Sequence, residues 1–141
     1  TTAPSTTTTT TTIAPTTTVA PHFNHSYASQ LVSLANSSRA AQGLAPLSWS
    51  QTLANAATTT ATRMADNGAL AHSNLQPLTS SFGYLGENIG RGYPSASGIH
   101  SAWMGSGYHR DNILGANYTH VGIAAWVDAD GQVWVSQIFG G

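Results

Sequence analysis

The chain has 141 residues, with four basic and five acidic side chains, a formal net charge of −1 and no cysteine. The lack of cysteine excludes a disulfide framework and a thiolate metal site. So few cations exclude nucleic acid as a partner, and no run of about 18 apolar residues is present to span a membrane.

Residues 1–20 are threonine-rich and carry no charge and no aromatic ring. Such a tract buries too little apolar surface to offset its ordering entropy, and its Thr-Pro composition reads as a disordered, stalk-like tether. A start inside this tract, with no initiating Met, reads as a processed extracellular protein. Residues 21–141 suffice for one domain with a single core.

Tyr27, Leu31, Leu34 and Ala35 recur at helical spacing and predict a first helix over 26–42, with Gly43 just past its end. Ser48-Trp49-Ser50-Gln51 has the form of a capping box for a second helix. Leu53, Ala57, Thr60, Ala61 and Met64 line one face of that helix, and Gly68 stops it. His72 then falls in a loop, and 82–90 predicts a brief strand carrying Glu87. Pro94-Ser95 starts a third helix with Ile99, Ala102 and Trp103 inward, and 112–115 reads as a short turn. Thr119–Val127 and Gln132–Phe139 are β-rich and joined by Asp128-Ala129-Asp130-Gly131, a hairpin. Apolar residues on both faces of these strands require helices above and below, hence an α/β fold of the three-layer α/β/α type. The four tryptophans, Trp49, Trp103, Trp126 and Trp134, read as core anchors.

Against a background of 6% charged residues, His72, Glu87 and His109 stand out, framed by Gly86-Glu87-Asn88 and Gly107-Tyr108-His109-Arg110. Neutral imidazoles and a carboxylate are the ligands of a borderline divalent cation such as zinc. Glu87 either completes the shell or orients a histidine through a hydrogen bond. His100 reads as packed or solvated, and His22 and His25 lie at the tether boundary.

In this order, six segments resemble the CAP superfamily, also called the SCP or pathogenesis-related domain. They are Leu47-Ser48-Trp49 before an Ala-rich helix, Leu70-Ala71-His72-Ser73, Gly86-Glu87-Asn88-Ile89, Trp103 ahead of Gly107-Tyr108-His109-Arg110, Thr119-His120-Val121-Gly122-Ile123, and Trp134 to Gly140. The cysteine-free form is similar to the bacterial branch. The resemblance implies a small, mostly antiparallel central sheet and a cleft with a His-Glu-Glu-His tetrad, whose histidines can bind a divalent metal. Residue by residue, the tetrad maps onto His72, Glu87, Ser106 and His109, so serine stands where the second glutamate is usual. The expected metal ligands are therefore His72 and His109, with Glu87 and Ser106 behind them, zinc held at low occupancy and no catalytic residue.

These readings point to a monomeric, non-enzymatic module, secreted or displayed at the cell surface. Its partner is expected to be a small molecule, lipid or cell-surface component. One alternative is a metal-dependent hydrolase with Glu87 as general base, although neither a His-Glu-x-x-His helix nor a Gly-x-Ser-x-Gly elbow is present. Another is a wall-displayed structural domain on the threonine stalk.

Overall fold

The computed structural model describes Ala14 and residues 18–141, so most of the expected tether lies outside the described residues. At its end, Val19 is exposed, and its N–H donates to the Ala129 carbonyl in the hairpin.

The elements follow in the order β1 (His22–Phe23), α1 (His25–Ala41), β2 (Ser48–Trp49), α2 (Gln51–Asn67), β3 (Leu85–Arg91), α3 (Ala96–Met104), α4 (Gly107–Ile113), β4 (His120–Val127) and β5 (Val133–Gly140). Three caps are explicit. Asn24 accepts from the Tyr27 N–H, Ser50 from Leu53 and Ser95 from Gly98. The cap of α2 is thus Ser50 and not the expected Ser48. Ser48 and Trp49 are drawn out of the helix because they pair, in parallel, with His120 and Val121. The expected turn at 112–115 is in fact the end of a true helix, α4, too short at seven residues to show a period.

β5 pairs antiparallel with β4 on one side and β3 on the other, while β1 and β2 take opposite ends of the outer edge of β4. α2 covers one face of this sheet, and α1, α3 and α4 cover the other. The result is the expected α/β/α sandwich around a mostly antiparallel sheet. Alternation along β4 sends Val121, Ile123, Ala125 and Val127 into the cluster with Leu31, Ile99 and Trp103. Ala124 joins Leu53, Ala57 and Ile138 under α2. Trp103 and Trp134 are buried as expected, but Trp49 is 47% exposed because the two-residue edge strand that carries it has nothing packed over the ring.

Two contacts set the helices. A Cβ on Gly122 would run into the backbone of Leu53 and Ala54, so α2 lies directly on the β4 main chain. On the other side, the buried Arg39 guanidinium donates to the carbonyls of Ala45, Ile113, Gly115 and Tyr118, tying α1 to the end of α4. Gly122→Ala is expected to destabilise the domain by ~3 kcal/mol, since backbone cannot yield as a side chain can. Gly107→Ala, where an added Cβ meets open space, should stay within about 1 kcal/mol of the parent in denaturant melts. Equal melts for the two variants would show that α2 does not rest on β4.

Candidate functional site

The site grows from two consecutive residues of β3. Because successive side chains of a strand point to opposite faces, Glu87 turns to the α2 side and Asn88 to the α4 side. Each pins one of the two histidine-bearing segments.

Glu87 is buried, with its side chain 2% exposed. Its Oε2 accepts from the Ser73 N–H at 2.8 Å and from His72 Nδ1 at 2.7 Å. Its Oε1 accepts from the hydroxyls of Ser73 and Ser136, the latter at 2.9 Å. A carboxylate has about four lone-pair positions, and all are taken. A carboxylate only accepts, so the neutral His72 ring carries its proton on Nδ1 and leaves Nε2 as a free acceptor. The Ser73 proton goes to Glu87, so the Thr60 hydroxyl donates in turn to Ser73 Oγ. Arg63 holds the same loop from outside by donating to the carbonyls of Ala71 and His72. The His72 side chain itself is 63% exposed. A cavity of about 490 Å³ opens beside it, lined by Thr59, Thr60, Arg63, Ser73, Asn74 and Pro77 among others.

On the other face, the fully buried Asn88 amide donates to the His109 carbonyl at 3.1 Å and to Gln137 Oε1 at 3.2 Å. Asn112 donates to Asn88 Oδ1 and to the Glu87 carbonyl. Gly86 makes room for this approach, since a Cβ there would press on Asn112 and the Tyr118 hydroxyl. α4 is thereby fixed to β3, with His109 on it.

Ser106 occupies the N-cap position of α4 but makes no cap bond. Its hydroxyl is instead 2.9 Å from His109 Nδ1. It therefore orients an imidazole where an acid would have added a second charge. Burial depresses the His109 pKa, and the charge of His72 lowers it further, so the two rings sense each other electrostatically. Among the described residues, no group of three or more His, Cys, Asp or Glu side chains is placed to hold a metal. What His72 and His109 offer is two imidazoles, each anchored at Nδ1 and each with Nε2 unengaged by any described residue. Nδ1 anchoring by a carboxylate is the usual support behind a metal-ligating histidine, the Ser106 hydroxyl oxygen can accept from His109 Nδ1 in the same sense, and a two-nitrogen shell leaves positions for water. The residues present fit an open site of that kind.

His100, by contrast, is packed under α1 against the Ser38 hydroxyl, and burial lowers its pKa. His22 bonds only the Ala20 carbonyl through its side chain. Ser73, Ser136 and Asn88 were not singled out from the sequence. Their trace is the polar pair Ser136-Gln137 in an otherwise apolar strand, and the serine directly after His72.

Four measurements follow from this geometry. Glu87→Ala should stay folded, since Glu87 belongs to neither hydrophobic cluster, at a cost of about 1–3 kcal/mol from orphaned donors. Nitrogen NMR should show His72 as the Nδ1–H tautomer in the parent and as a mixture in Glu87→Ala; a mixture in both would refute the anchor. His100 and His109 have depressed pKa values, so the unfolded chain takes up protons first as pH falls below about 6.5, and stability should decline with acid from there. His72→Ala should move the His109 titration upward, part of the way to the ordinary imidazole value. No movement would mean the two rings are not coupled.

The profile of the family described as CAP, cysteine-rich secretory protein family, matches residues 32–139. An uncharacterized Bacillus subtilis protein, YkwD, is 34% identical over 134 residues, which cover 89% of this chain and 51% of that protein. A Bacillus subtilis membrane protein, YlbC, also uncharacterized, is 30% identical over 67% of this chain and 30% of that protein, so the chain spans about half of the first relative and less than a third of the second. Among solved structures, an extracellular SCP-domain protein of Bacillus anthracis superposes with a TM-score of 0.73 at 26% identity, over 82% of this chain and 40% of that one. An outer surface protein of Borrelia burgdorferi gives 0.78 at 19% identity, over 86% and 98%, and shares the fold.

Proposed function

The chain belongs to the CAP, or cysteine-rich secretory protein, family and is of its bacterial type, and we propose that it is a non-enzymatic, extracellular binding module whose His72 and His109 hold a divalent cation. Glu87 and Ser106 position the two rings, and water completes the shell. When bound, the cation supplies a positive centre with exchangeable positions, to which a small molecule, lipid or cell-surface group can add.

The observation that carries this reading is the saturation of Glu87. A general base must offer a lone pair to the proton it abstracts, and here both oxygens are committed to Ser73, Ser136 and His72. With Ser106 at the remaining tetrad position there is no second acid. The same residues serve orientation better than hydrolysis. An extracellular setting is favoured by the relatives, which include an extracellular protein and an outer surface protein.

Calorimetric titration with zinc should give one saturable site of modest affinity, readily stripped by chelator. Affinity should fall with acid, because only neutral imidazole ligates. The depressed pKa of His109 keeps that ring available to a lower pH than an ordinary histidine. Binding to the folded state should also raise the melting temperature by mass action. The His72→Ala, His109→Ala double variant should lose both effects. Equal binding by parent and variant would overturn the site, and turnover of peptide, ester or glycan substrates by the parent would restore the hydrolase.

A further inference from the structure

A separate cavity, of about 510 Å³, opens at the edge of the sheet opposite Glu87, between α1 and α2. Its floor is a bare stretch of β4. β1 reaches only Val127 and Trp126, and β2 only His120 and Val121, so 122–125 have no partner strand on that edge. The Asp128 N–H bonds the Gln132 carbonyl, which fixes the parity of the β4–β5 ladder. Even-numbered residues turn their polar groups to β5, and Val121, Ile123 and Ala125 turn theirs to the open edge. The Ser50 N–H closes the Val121 carbonyl, and the Asn24 N–H closes that of Ala125. No described residue bonds the Ile123 N–H, the Ile123 carbonyl or the Ala125 N–H.

Orphan backbone groups in residues so buried, 3% exposed for Ile123 and 1% for Ala125, are uncommon, and two donors and one acceptor are left facing a cavity. The walls include Phe23, Val32, Trp49 and Ala54, with Ser29 and Thr58 among the polar residues. No Asp, Glu, Lys or Arg lines the cavity, and its one ionisable side chain is His25. A charged ligand would be desolvated without a partner there. The face of Trp49 that its short edge strand leaves exposed becomes a wall for an apolar group.

We propose that this cavity binds a short, uncharged, extended peptide segment that pairs with Ile123 and fills the gap between β1 and β2. One residue of the segment accepts from the Ile123 N–H and donates to the Ile123 carbonyl. A neighbouring carbonyl takes the Ala125 N–H, and an apolar side chain enters between Phe23 and Trp49. The bare stretch is about 13 Å long at ~3.3 Å per residue, which admits a segment of at most about four residues. Adding a strand to an exposed edge in this way draws affinity from the main chain and selectivity from the walls.

The test uses the full 141-residue chain, nitrogen-labelled and titrated with N-acetyl-Leu-Val-N-methylamide. The Ile123 and Ala125 amide resonances should shift saturably, and their hydrogen exchange should slow at least tenfold. The analogue methylated on its backbone nitrogens keeps the apolar groups but lacks the donors, and should bind at least tenfold more weakly. Ser29→Trp, which fills the cavity from an exposed helix position, should abolish the response, while Ser29→Ala retains it. Chelator and the His72→Ala, His109→Ala variant should leave it unchanged, so this site stands or falls apart from the metal reading. Unshifted amides at the solubility limit, equal binding of the methylated analogue, or full binding by Ser29→Trp would overturn the proposal.

Discussion

Everything at the histidine site hangs on β3 being held rigidly at its alternation. A buried carboxylate is tolerated only when its lone pairs are satisfied, and Glu87 meets that condition with donors from the His72–Ser73 loop and from β5. Its neighbour Asn88 does the same on the opposite face with α4 and Gln137. One strand therefore fixes two segments that approach from different layers. Slipping β3 by one residue against β5 would exchange the faces of Glu87 and Asn88 and dismantle both attachments together. The glycine before them belongs to the same constraint, because Asn112 and Tyr118 occupy the space of its missing Cβ.

The sheet that carries this strand has two unlike edges. At β3 the Glu87 and Ile89 carbonyls accept from Asn112 and Trp103 while the His72–Ser73 loop bonds the Glu87 carboxylate, and the polar chemistry gathers there. At β4 the edge is only partly closed, by two strands of two residues each that leave a gap between them. α2 reaches the floor of the sheet between these edges through Gly122, which is why it contributes Thr60 and Arg63 to one side and Ala54 and Thr58 to the other. A bare, buried edge invites pairing, and the short flanking strands limit how long a partner can be.

Much of this was legible in the residues. Alternation in 119–127 and 132–139, read with helices on both faces, led to the layered architecture, and the motif order pointed to His72, Glu87 and His109, of which His72 and Glu87 are hydrogen-bonded. What was not legible depended on contacts distant in sequence. Ser136 reaches Glu87 across 49 positions, and a polar residue in an apolar strand does not by itself say what it meets. Ser48 looked like a cap because its neighbours fit the box, and strand pairing to His120 outweighed that local preference. Trp49 was read as core because of its size, yet an edge strand of two residues cannot bury it. Ser106 reads from the sequence as a missing acid; in the structure its hydroxyl makes no cap bond to α4 and lies 2.9 Å from His109 Nδ1. Short elements such as β1, β2 and α4 carry no period for a sequence reading to find.

The most direct measurement of the histidine site is the coordination shell itself, by X-ray absorption at the zinc edge on the loaded protein at neutral pH. Two imidazole nitrogens at about 2.0–2.1 Å, with the remaining positions filled by light oxygen scatterers from water, are the expected result. That shell should be unchanged in Glu87→Gln, since Glu87 stands behind His72 and not on the metal. A shell with three or more imidazoles, or one that loses a carboxylate scatterer in Glu87→Gln, would contradict the assignment of His72 and His109 as ligands and Glu87 as their support.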